Sequence, residues 1–508
     1  MHWPNSHIFY DILAQTASPG FAIHAQSQLE EAEQQLTQMT AQTDPLCQAS
    51  QQLVARIAAL KYAVSPIRKL PADILLEIFS RVEDGHDWSR FHHLSTNAHF
   101  RHVFRLASVC SYWRQLLLTA PRMWPTTVAL QTSGFISFPQ HFDVVNTLLQ
   151  RSNPYLLNIT VDGLRRDVGT YLHSLVISIA MNVAHRWRSL RMEFDFVPFL
   201  RHAQTPGPLI HLTEISLHGM DWNETDQPSA FFLDAPKLTR VLLRTSNTTK
   251  LLLPWSQLTK LHLEGVESPG FLAVLEQCIS VVNLHLVGYI CDEDAIATSA
   301  LSATVSLVYL THLQLSVTED HCTFDPLFRH FTFPSLINLN LNPADALADD
   351  LLEFEIGDFF PSFLARCSAL RNLTILSSNM NETALDDILR NIPSLTSLTL
   401  SACFNCVDDA FFERLTYRAT DLVPPAPCLQ RLHLESVTDR YSQDVVLAMV
   451  RSRWWTDDTL LPTPRVARWE RIYICGCFPP EVVLSDAFRA AMAELCSEGL
   501  VFEVKERR

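Results

Sequence analysis

Glycine is scarce in this sequence, with 13 glycines in 508 residues, whereas average usage is about 7%. Loops that hold nucleotide phosphates need glycine, because only a residue without a side chain lets the backbone approach the ligand closely. Neither a GxGxxG nor a GxxxxGK[ST] pattern occurs in the chain. This composition argues against the enzyme classes that bind mononucleotides or dinucleotides.

Charged residues are also few, at 18% of the chain, and their balance is acidic. The 39 basic and 54 acidic residues give a formal net charge of -15. Affinity for nucleic acid or for an anionic membrane surface needs a basic face, so we expect neither partner. Hydrophobic residues make up 47% of the chain, which is typical of an ordered protein with a core.

Long apolar runs and clustered cysteines are missing as well. No window reaches the roughly 18 uninterrupted apolar residues of a membrane span, and the first residues lack the basic start and apolar stretch of a signal peptide. The 12 cysteines are scattered, mostly singly, unlike those of a secreted disulfide scaffold. We therefore expect a soluble protein of a reducing compartment, cytoplasmic and/or nuclear.

Catalytic motifs are absent from the sequence. It contains neither a Gly-x-Ser-x-Gly elbow nor a His-Glu-x-x-His helix. Paired aspartates at positions 349–350, 386–387, 408–409 and 457–458 are better explained as helix caps or helix-dipole partners than as acid/base pairs. We predict no enzyme activity and no cofactor; a hydrolase with an unrecognised site would need a pocket of perturbed titratable groups.

A heptad pattern runs through residues 26–64, after an amino terminus (1–25) that we leave unassigned. Its two core positions are taken by Leu29, Leu36, Thr43, Ser50, Ile57 and Val64, and by Ala32, Met39, Leu46, Leu53 and Leu60. Pro45 should kink or split the helix. The pattern predicts either a dimerising or spacing coiled coil, or an amphipathic helix folded back on its own chain.

Two helices are predicted in the next segment, residues 65–125. Pro71 suits the first position of a helix, and Asp73 places a carboxylate in its first turn. The apolar residues of this helix share one face at helical spacing: Ile74, Leu75, Ile78, Phe79 and Val82. A second helix is indicated by Leu106, Val109, Cys110, Trp113, Leu116 and Leu117, and should end before Pro121.

From residue 126 onward a Leu-x-x-Leu-x-Leu triplet with conservative replacements recurs. It occurs at Leu156-Ile159-Val161, Trp187-Leu190-Met192, Leu212-Ile215-Leu217, Leu238-Val241-Leu243, Leu258-Leu261-Leu263, Val281-Leu284-Leu286, Leu310-Leu313-Leu315, Leu336-Leu339-Leu341, Leu370-Leu373-Ile375, Leu395-Leu398-Leu400, Leu429-Leu432-Leu434 and Trp469-Ile472-Ile474. Each triplet predicts a short strand with alternate residues inward. Such units cannot bury their apolar faces alone, so they must stack.

These motifs resemble those of F-box proteins with leucine-rich repeats, of the fungal kind. The F-box pattern is carried by Leu70-Pro71, Asp73, Ile78-Phe79 and the run Val109-Cys110-Ser111-Tyr112-Trp113-Arg114. The long polar segment at 83–105 departs from it. The triplets carry the repeat pattern, and the unit from Leu395 to Cys403 is similar to the cysteine-containing repeat of that family. The alternatives are a helical hairpin without a partner and an ordinary α/β domain.

The resemblance implies an α/β fold in which a helical F-box at 65–125 precedes a leucine-rich-repeat solenoid at 126–508. Parallel strands would line its concave face and helices its convex face. It also implies a Skp adaptor, through it a cullin, and an unknown protein substrate for ubiquitin transfer. The adaptor-contacting or box-core residues would be Leu70, Pro71, Ile74, Leu75, Ile78, Phe79, Val109, Cys110 and Trp113. A repeat scaffold without substrate delivery is the alternative.

Polar residues between the strand leucines would line a substrate surface. His262, His285 and His433 each stand in a Leu-His-Leu sequence, with the first two on neighbouring strands. Glu264 and Asn340 would share that surface, together with Arg244, Asn342 and Glu435. Solvated histidines explain the pattern better than a metal site does. Cys403-x-x-Cys406 has the spacing of a metal or redox pair, but without a second pair nearby buried core cysteines are the simpler interpretation.

Overall fold

The computed structural model describes residues 21–40, 47–83, 102–131, 138–162, 178–193, 197–200, 207–220, 222–223, 225–245, 247–265, 270–288, 304–318, 324–344, 357, 359–418, 424–436, 441–455, 465–475 and 484–505. The chain divides into two compact units. The helical unit comprises Met1–Pro125 with Gln150–Ser152, and the sheet unit comprises Thr126–Leu149 with Asn153–Arg508. No helix in the described part of the chain is long and apolar enough to cross a membrane.

The described residues of the helical unit contain four helices with defined bounds, together with a helical segment at residues 102–107. They are α1 (Phe21–Thr40), α2 (Cys47–Val64), α3 (Ala72–Glu83) and α4 (Ser111–Thr119). Short 3-10 turns occupy Pro66–Lys69 and Pro121–Met123. As predicted, Asp73 lies in the first turn of α3 and α4 ends two residues before Pro121.

The heptad segment folds back on itself. Ala25, Leu29 and Ala32 of α1 bury their side chains against Ile57 and Leu60 of α2, with Leu36, Leu53 and Val64 at the margin. Lys61 Nζ also contacts Glu33 Oε1 at 2.7 Å. This is the folded-back alternative, because the heptad leucines pack within one chain. Thr43, Pro45 and Leu46 lie outside the described residues, and self-association through this segment stays a prediction.

A second cluster joins α3 to α4. Leu75 and Phe79 pack with Val103, Ala107 and Leu117, and the cluster continues into Met123 and Trp124. Trp124 Nε1–H donates to the Leu117 carbonyl at 3.1 Å. Arg122 Nη2 donates to the carbonyl of Asp73 at 3.0 Å, which ties the end of the segment to the start of α3. The two ends of the motif are thus held together by packing and by hydrogen bonds.

The second helix of this segment is interrupted, which corrects the sequence prediction of one helix from 106 to 117. Helical geometry stops at residue 107, and Cys110 has extended dihedrals (φ -158°, ψ 167°). Cys110 Sγ accepts from the Trp113 N–H at 3.4 Å and so caps α4. The Ser108 hydroxyl donates to the Arg105 carbonyl at 2.7 Å. Such side-chain bonds compete with continued helix, and apolar spacing alone does not reveal them.

The sheet unit is built on 14 parallel strands that follow one another in chain order, with β8 and β10 paired apart from them. The strands are β1 (Thr127–Gln131), β2 (Leu157–Asp162), β3 (Trp187–Met192), β4 (Glu214–Met220), β5 (Arg240–Thr245), β6 (Lys260–Glu264), β7 (Asn283–Val287), β8 (Val305–Ser306), β9 (His312–Val317), β10 (Phe331–Thr332), β11 (Asn338–Pro343), β12 (Asn372–Leu376), β13 (Ser397–Ser401), β14 (Arg431–Glu435), β15 (Arg471–Cys475) and β16 (Val501–Lys505).

All twelve triplets lie on successive strands of the large sheet, from β2 to β15. The α/β class and the solenoid-like stacking of parallel strands are therefore confirmed. The first residue of each triplet precedes or opens its strand, and the next two are buried within it. The sequence prediction missed β1 and β16, the two edge strands. In β16 only alternate residues Phe502 and Val504 are half-buried, so the triplet signal is weak there.

Helices connect many of these strands. They are α5 (Phe138–Arg151), α6 (Val197–Leu200), α7 (Gly270–Gln277), α8 (Asp325–His330), α9 (Phe360–Ala365), α10 (Glu382–Asn391), α11 (Asp409–Leu415), α12 (Gln443–Ser452) and α13 (Asp486–Ser497). Asp408 caps α11 by accepting from the Phe411 N–H at 2.8 Å, which confirms one predicted aspartate cap.

The residue after several strands adopts a left-handed conformation. Gly265 (φ 78°) follows β6, while Ser377 (φ 50°), Ala402 (φ 52°) and Ser436 (φ 49°) follow β12, β13 and β14. Each N–H still donates to the neighbouring strand, for example Ala402 N to the Glu435 carbonyl at 2.9 Å. Residues other than glycine therefore occupy positions that glycine favours.

Several predictions fall outside the described residues. They include the unassigned start up to residue 20, most of the polar segment 83–105, and Asp349, Asp350, Asp457 and Asp458.

Candidate functional site

The structure separates the predicted adaptor residues of α3 into core and surface. Leu75 and Phe79 are buried, at 0% and 1% exposure, and belong to the α3–α4 cluster. Ile74 and Ile78 are 45% and 38% exposed. These two isoleucines are four residues apart, so they are neighbours on one side of the helix. They are available to a partner, whereas Leu75 and Phe79 hold the helix in place.

The remaining residues of this set divide in the same way. Leu70 and Trp113 are half-buried and pack against the cluster, and Cys110 caps α4. Pro71 is exposed, and Val109, in the interruption between the helices, is 53% exposed. The sequence prediction did not say which of these residues contact the adaptor and which form the core. The candidate contact residues are therefore Ile74, Ile78, Val109 and Pro71.

The second candidate site lies on the polar side of the large sheet. Leucines at alternate strand positions are buried, and the residues between them are half-buried or exposed. A groove of about 610 Å³ crosses this side from β4 to β12. Three of the predicted residues, His262, His285 and Asn340, line it. Glu264 lies at the end of β6, two residues from His262.

His262 and His285 occupy directly paired positions of β6 and β7, as the strand spacing predicted. Their ring centroids are 4.1 Å apart with an interplanar angle of 35°. His285 Nε2 lies 3.0 Å from Ser316 Oγ, and the Ser316 hydroxyl donates to Asn342 Oδ1 at 3.0 Å. His285 Nε2 therefore carries the proton in this bond, because the hydroxyl proton is already used.

Burial controls the protonation of these histidines. It lowers the pKa of His285 from 6.5 to about 4, with a smaller contribution from His262. Burial is also the main cause of the lowered pKa of His262, opposed by the charge of Glu264. The pKa of His218 on β4 is lowered for the same reason, with a contribution from Arg191. At neutral pH these imidazoles are uncharged and serve as hydrogen-bonding groups.

Charges beside the groove are mostly paired. Arg240 Nη1 contacts Glu214 Oε2 at 3.3 Å, and Arg244 Nε contacts Glu264 Oε2 at 2.8 Å. Lys260, between these pairs on β6, forms no ion pair with any described residue. It is exposed and lines the groove. One uncompensated positive charge, that of Lys260, therefore lines the groove.

Two polar atoms of the groove are buried without a hydrogen-bond partner among the described residues: His262 Nε2 and Asn340 Oδ1. Glu264 Oε1 lies 3.3 Å from His262 Nε2 but is not aligned for a hydrogen bond. Buried polar groups are nearly always paired, so each exception needs an explanation. Both residues line the same groove, which makes that groove a binding candidate on the sheet.

His433 is not part of this groove. It stacks on Tyr473 with ring centroids 4.3 Å apart, and its Nε2 is 3.6 Å from Glu435 Oε2. The sequence prediction also overlooked groove residues such as Lys260, Asn283 and Asn338. The sequence could have identified Lys260, because residues two apart on a strand share a face and Lys260 is two residues before His262.

The Cys403-x-x-Cys406 pair is buried. Cys403 Sγ donates to the Ile375 carbonyl at 3.6 Å, and Cys406 Sγ donates to the Cys403 carbonyl at 3.7 Å. The hydrogen bond with Cys403 and burial raise the pKa of the Cys406 thiol. Among the described residues, no group of three or more His, Cys, Asp or Glu side chains could hold a metal ion. A thiol that stays protonated is a poor nucleophile and metal ligand.

Comparisons with known proteins give little. No family model matches the chain, and no curated protein matches it. Among solved structures, it is similar to a chain in the crystal structure of the Rad7 and Elc1 complex in yeast, at 11% identity. The match covers 91% of this chain and 98% of that chain, with a TM-score of 0.33. A TM-score at this level does not establish a shared fold.

Proposed function

We propose that the chain is the substrate-recognition subunit of a Skp–cullin–F-box ubiquitin ligase. In this proposal the segment 65–125 is an F-box that binds the Skp adaptor, and the sheet unit is a leucine-rich-repeat solenoid that binds a protein substrate. The chain itself would perform no catalysis. It would hold the substrate near the ligase subunits, which raises the effective concentration of the reacting groups.

One observation carries the proposal. In α3, Leu75 and Phe79 anchor the helix in a core while Ile74 and Ile78 stay exposed on the same helix. Exposed isoleucines on a helix with a fixed inner side are suited to an apolar protein contact. They stand within the motif that resembles the F-box, where adaptor-contacting residues are expected. The serial parallel strands with a polar groove support the second half of the proposal.

The test is binding of the full-length chain to a purified Skp adaptor by titration calorimetry. We expect saturable binding by the wild type and a loss of at least about 30-fold for Ile74→Ser/Ile78→Ser, because two interface anchors are removed. Both residues are exposed, so the fold should survive. Val54→Ser on α2 is the matched control, because Val54 is 51% exposed but lies outside the motif.

Circular dichroism must show all three proteins folded. Absence of binding by folded wild type, or equal binding by the double variant, would contradict the F-box role. The scaffold alternative predicts adaptor binding without cullin-dependent turnover of the protein that the sheet unit holds. A turnover assay with and without a cullin inhibitor separates the two.

A further inference from the structure

The groove on the sheet contains polar groups that are incompletely satisfied. His262 Nε2 and Asn340 Oδ1 are buried and have no hydrogen-bond partner among the described residues. Leaving a buried donor or acceptor unpaired costs free energy, and a ligand that supplies the missing bonds after a rotation of these side chains gains affinity. The two residues lie on β6 and β11, and the groove runs between them across β7 and β9. The ligand must therefore span several strands.

The chemistry of the groove fits a polypeptide main chain. Carboxamides donate and accept hydrogen bonds, as a peptide group does. The groove displays several of them: Asn283, Gln314, Asn338, Asn340 and Asn372. Asn372 Nδ2 donates to Asn338 Oδ1 at 2.6 Å, whereas the Asn283 side chain makes no hydrogen bond with a described residue. A chain of net charge -15 disfavours nucleic acid at the same place.

Lys260 adds a charge preference. Glu214 is already paired with Arg240, and Glu264 with Arg244, which leaves Lys260 on β6 uncompensated. An anionic group on the ligand would give Lys260 an ion-pair partner, as Glu214 and Glu264 do for the two arginines. The side of the groove toward β11 and β12 is uncharged, with Asn338, Asn340, Asn372 and Thr374.

We propose that the groove binds an extended segment of a protein substrate, with one acidic side chain against Lys260 and main-chain groups bonded to Asn283 and Asn340. This inference rests on the proposed function, because it specifies the substrate class of the sheet unit. It does not depend on adaptor binding.

The test begins with a phage library of random 12-residue peptides selected on the immobilised full-length chain. We expect the selected peptides to share an Asp or Glu at one position. In fluorescence anisotropy, a selected peptide with that residue changed to Asn or Gln should bind roughly two- to fivefold more weakly, since an exposed ion pair is worth about that much.

Two variants locate the binding. Lys260→Glu should reverse the preference, so that a peptide carrying Lys at the acidic position binds more tightly than the parent. Lys237→Glu is the matched control, because Lys237 is exposed in the turn before β5 and outside the groove, and it should bind the parent as the wild type does. Asn340→Leu should weaken binding of the parent peptide about tenfold.

The inference is overturned if no peptide is enriched, if selected peptides share no acidic position, or if Lys260→Glu selects the same peptides as the wild type. Unfolding midpoints by circular dichroism establish that each variant is folded. Adaptor binding measured with Ile74→Ser/Ile78→Ser is independent of this groove. If the wild type binds the adaptor but binds no peptide, the groove assignment is rejected while the proposed adaptor role stands.

Discussion

The rings of Phe79 and Trp113 lie 4.6 Å apart at an interplanar angle of 59° and join α3 to α4. Phe79 is buried, while its neighbour in sequence, Ile78, is exposed. The contact explains why two adjacent apolar residues of one helix have different roles. Tilted aromatic pairs at this separation add to the stabilisation from burial itself.

We predict that Phe79→Ala lowers the free energy of unfolding of the helical unit by about 3–5 kcal/mol, because it leaves a cavity in the core. Ile78→Ala should cost about 1 kcal/mol or less, since its side chain is already partly in water. Urea denaturation followed by circular dichroism measures both. Equal losses for the two variants would contradict the separation of core from surface.

We predict that exchanging alanine and glycine changes the free energy of unfolding in opposite directions at two equivalent positions, each the first residue after a strand. Ala402 has φ 52° after β13 and Gly265 has φ 78° after β6. Ala402→Gly should raise the free energy of unfolding by about 1 kcal/mol, because an L-residue is strained in this conformation. Gly265→Ala should lower it by a similar amount. Thermal unfolding compares the pair, and a shift of the same sign for both would show that φ does not control these positions.

We predict that the paired histidines destabilise the sheet unit in acid. The folded-state pKa of His285 is about 4 and that of His262 is lowered, so between pH 4 and 6.5 the unfolded chain binds more protons than the folded chain. Their contribution is complete above about pH 6.5 and is lost as the pH falls toward 4. Because the imidazole rings are partly exposed, solvent screening reduces their contribution to the free energy of unfolding to on the order of 1–2 kcal/mol.

His285→Gln isolates this effect, because glutamine can still donate to Ser316 but does not titrate. The melting temperature of the variant should fall less than that of the wild type between pH 7.5 and pH 5. Carboxylates elsewhere titrate equally in both proteins, so the difference reports the histidine. Identical acid sensitivity of the two proteins would refute the prediction.

We predict a large structural role for Arg453 at the end of α12. Its buried guanidinium donates to the carbonyls of Leu415, Pro425 and Ala426 at 2.9–3.0 Å and lies 5.3 Å from the Trp469 ring. Burial lowers the pKa of Arg453 to about 10, so it remains charged at pH 7. Arg453→Met should cost about 3 kcal/mol, because the carbonyls are left unpaired.

Arg453→Lys should be nearly as destabilising, since one ammonium group cannot reproduce three bonds from a planar fork. The matched control is Arg451→Met, because Arg451 is exposed on the same helix and should change stability by less than about 0.5 kcal/mol. Guanidinium denaturation curves give the comparison. Full rescue by lysine would mean that charge alone is required at position 453.

Much of the sheet unit follows from the sequence. A leucine triplet repeated once per strand sets both the strand positions and their neighbours, because each unit can bury its apolar side only against the next. The pairing of His262 with His285 follows from this local order, and so does the burial of Leu261, Leu263, Leu284 and Leu286. The Asp408 cap is equally local, because it depends on residues three apart.

Other features depend on contacts that no spacing encodes. Ile74 and Leu75 are equally apolar, and the position of Val103, Ala107 and Leu117 decides which of them is buried. The heptad residues fit a partner chain or their own, and the packing of α1 on α2 decides between them. Lys260 has no ion-pair partner among the described residues because Arg240 and Arg244 pair with the nearby carboxylates, and pairing between strands is a tertiary outcome. The sequence by itself determines the repeat and its order, whereas the tertiary structure decides which side chains remain available to a partner.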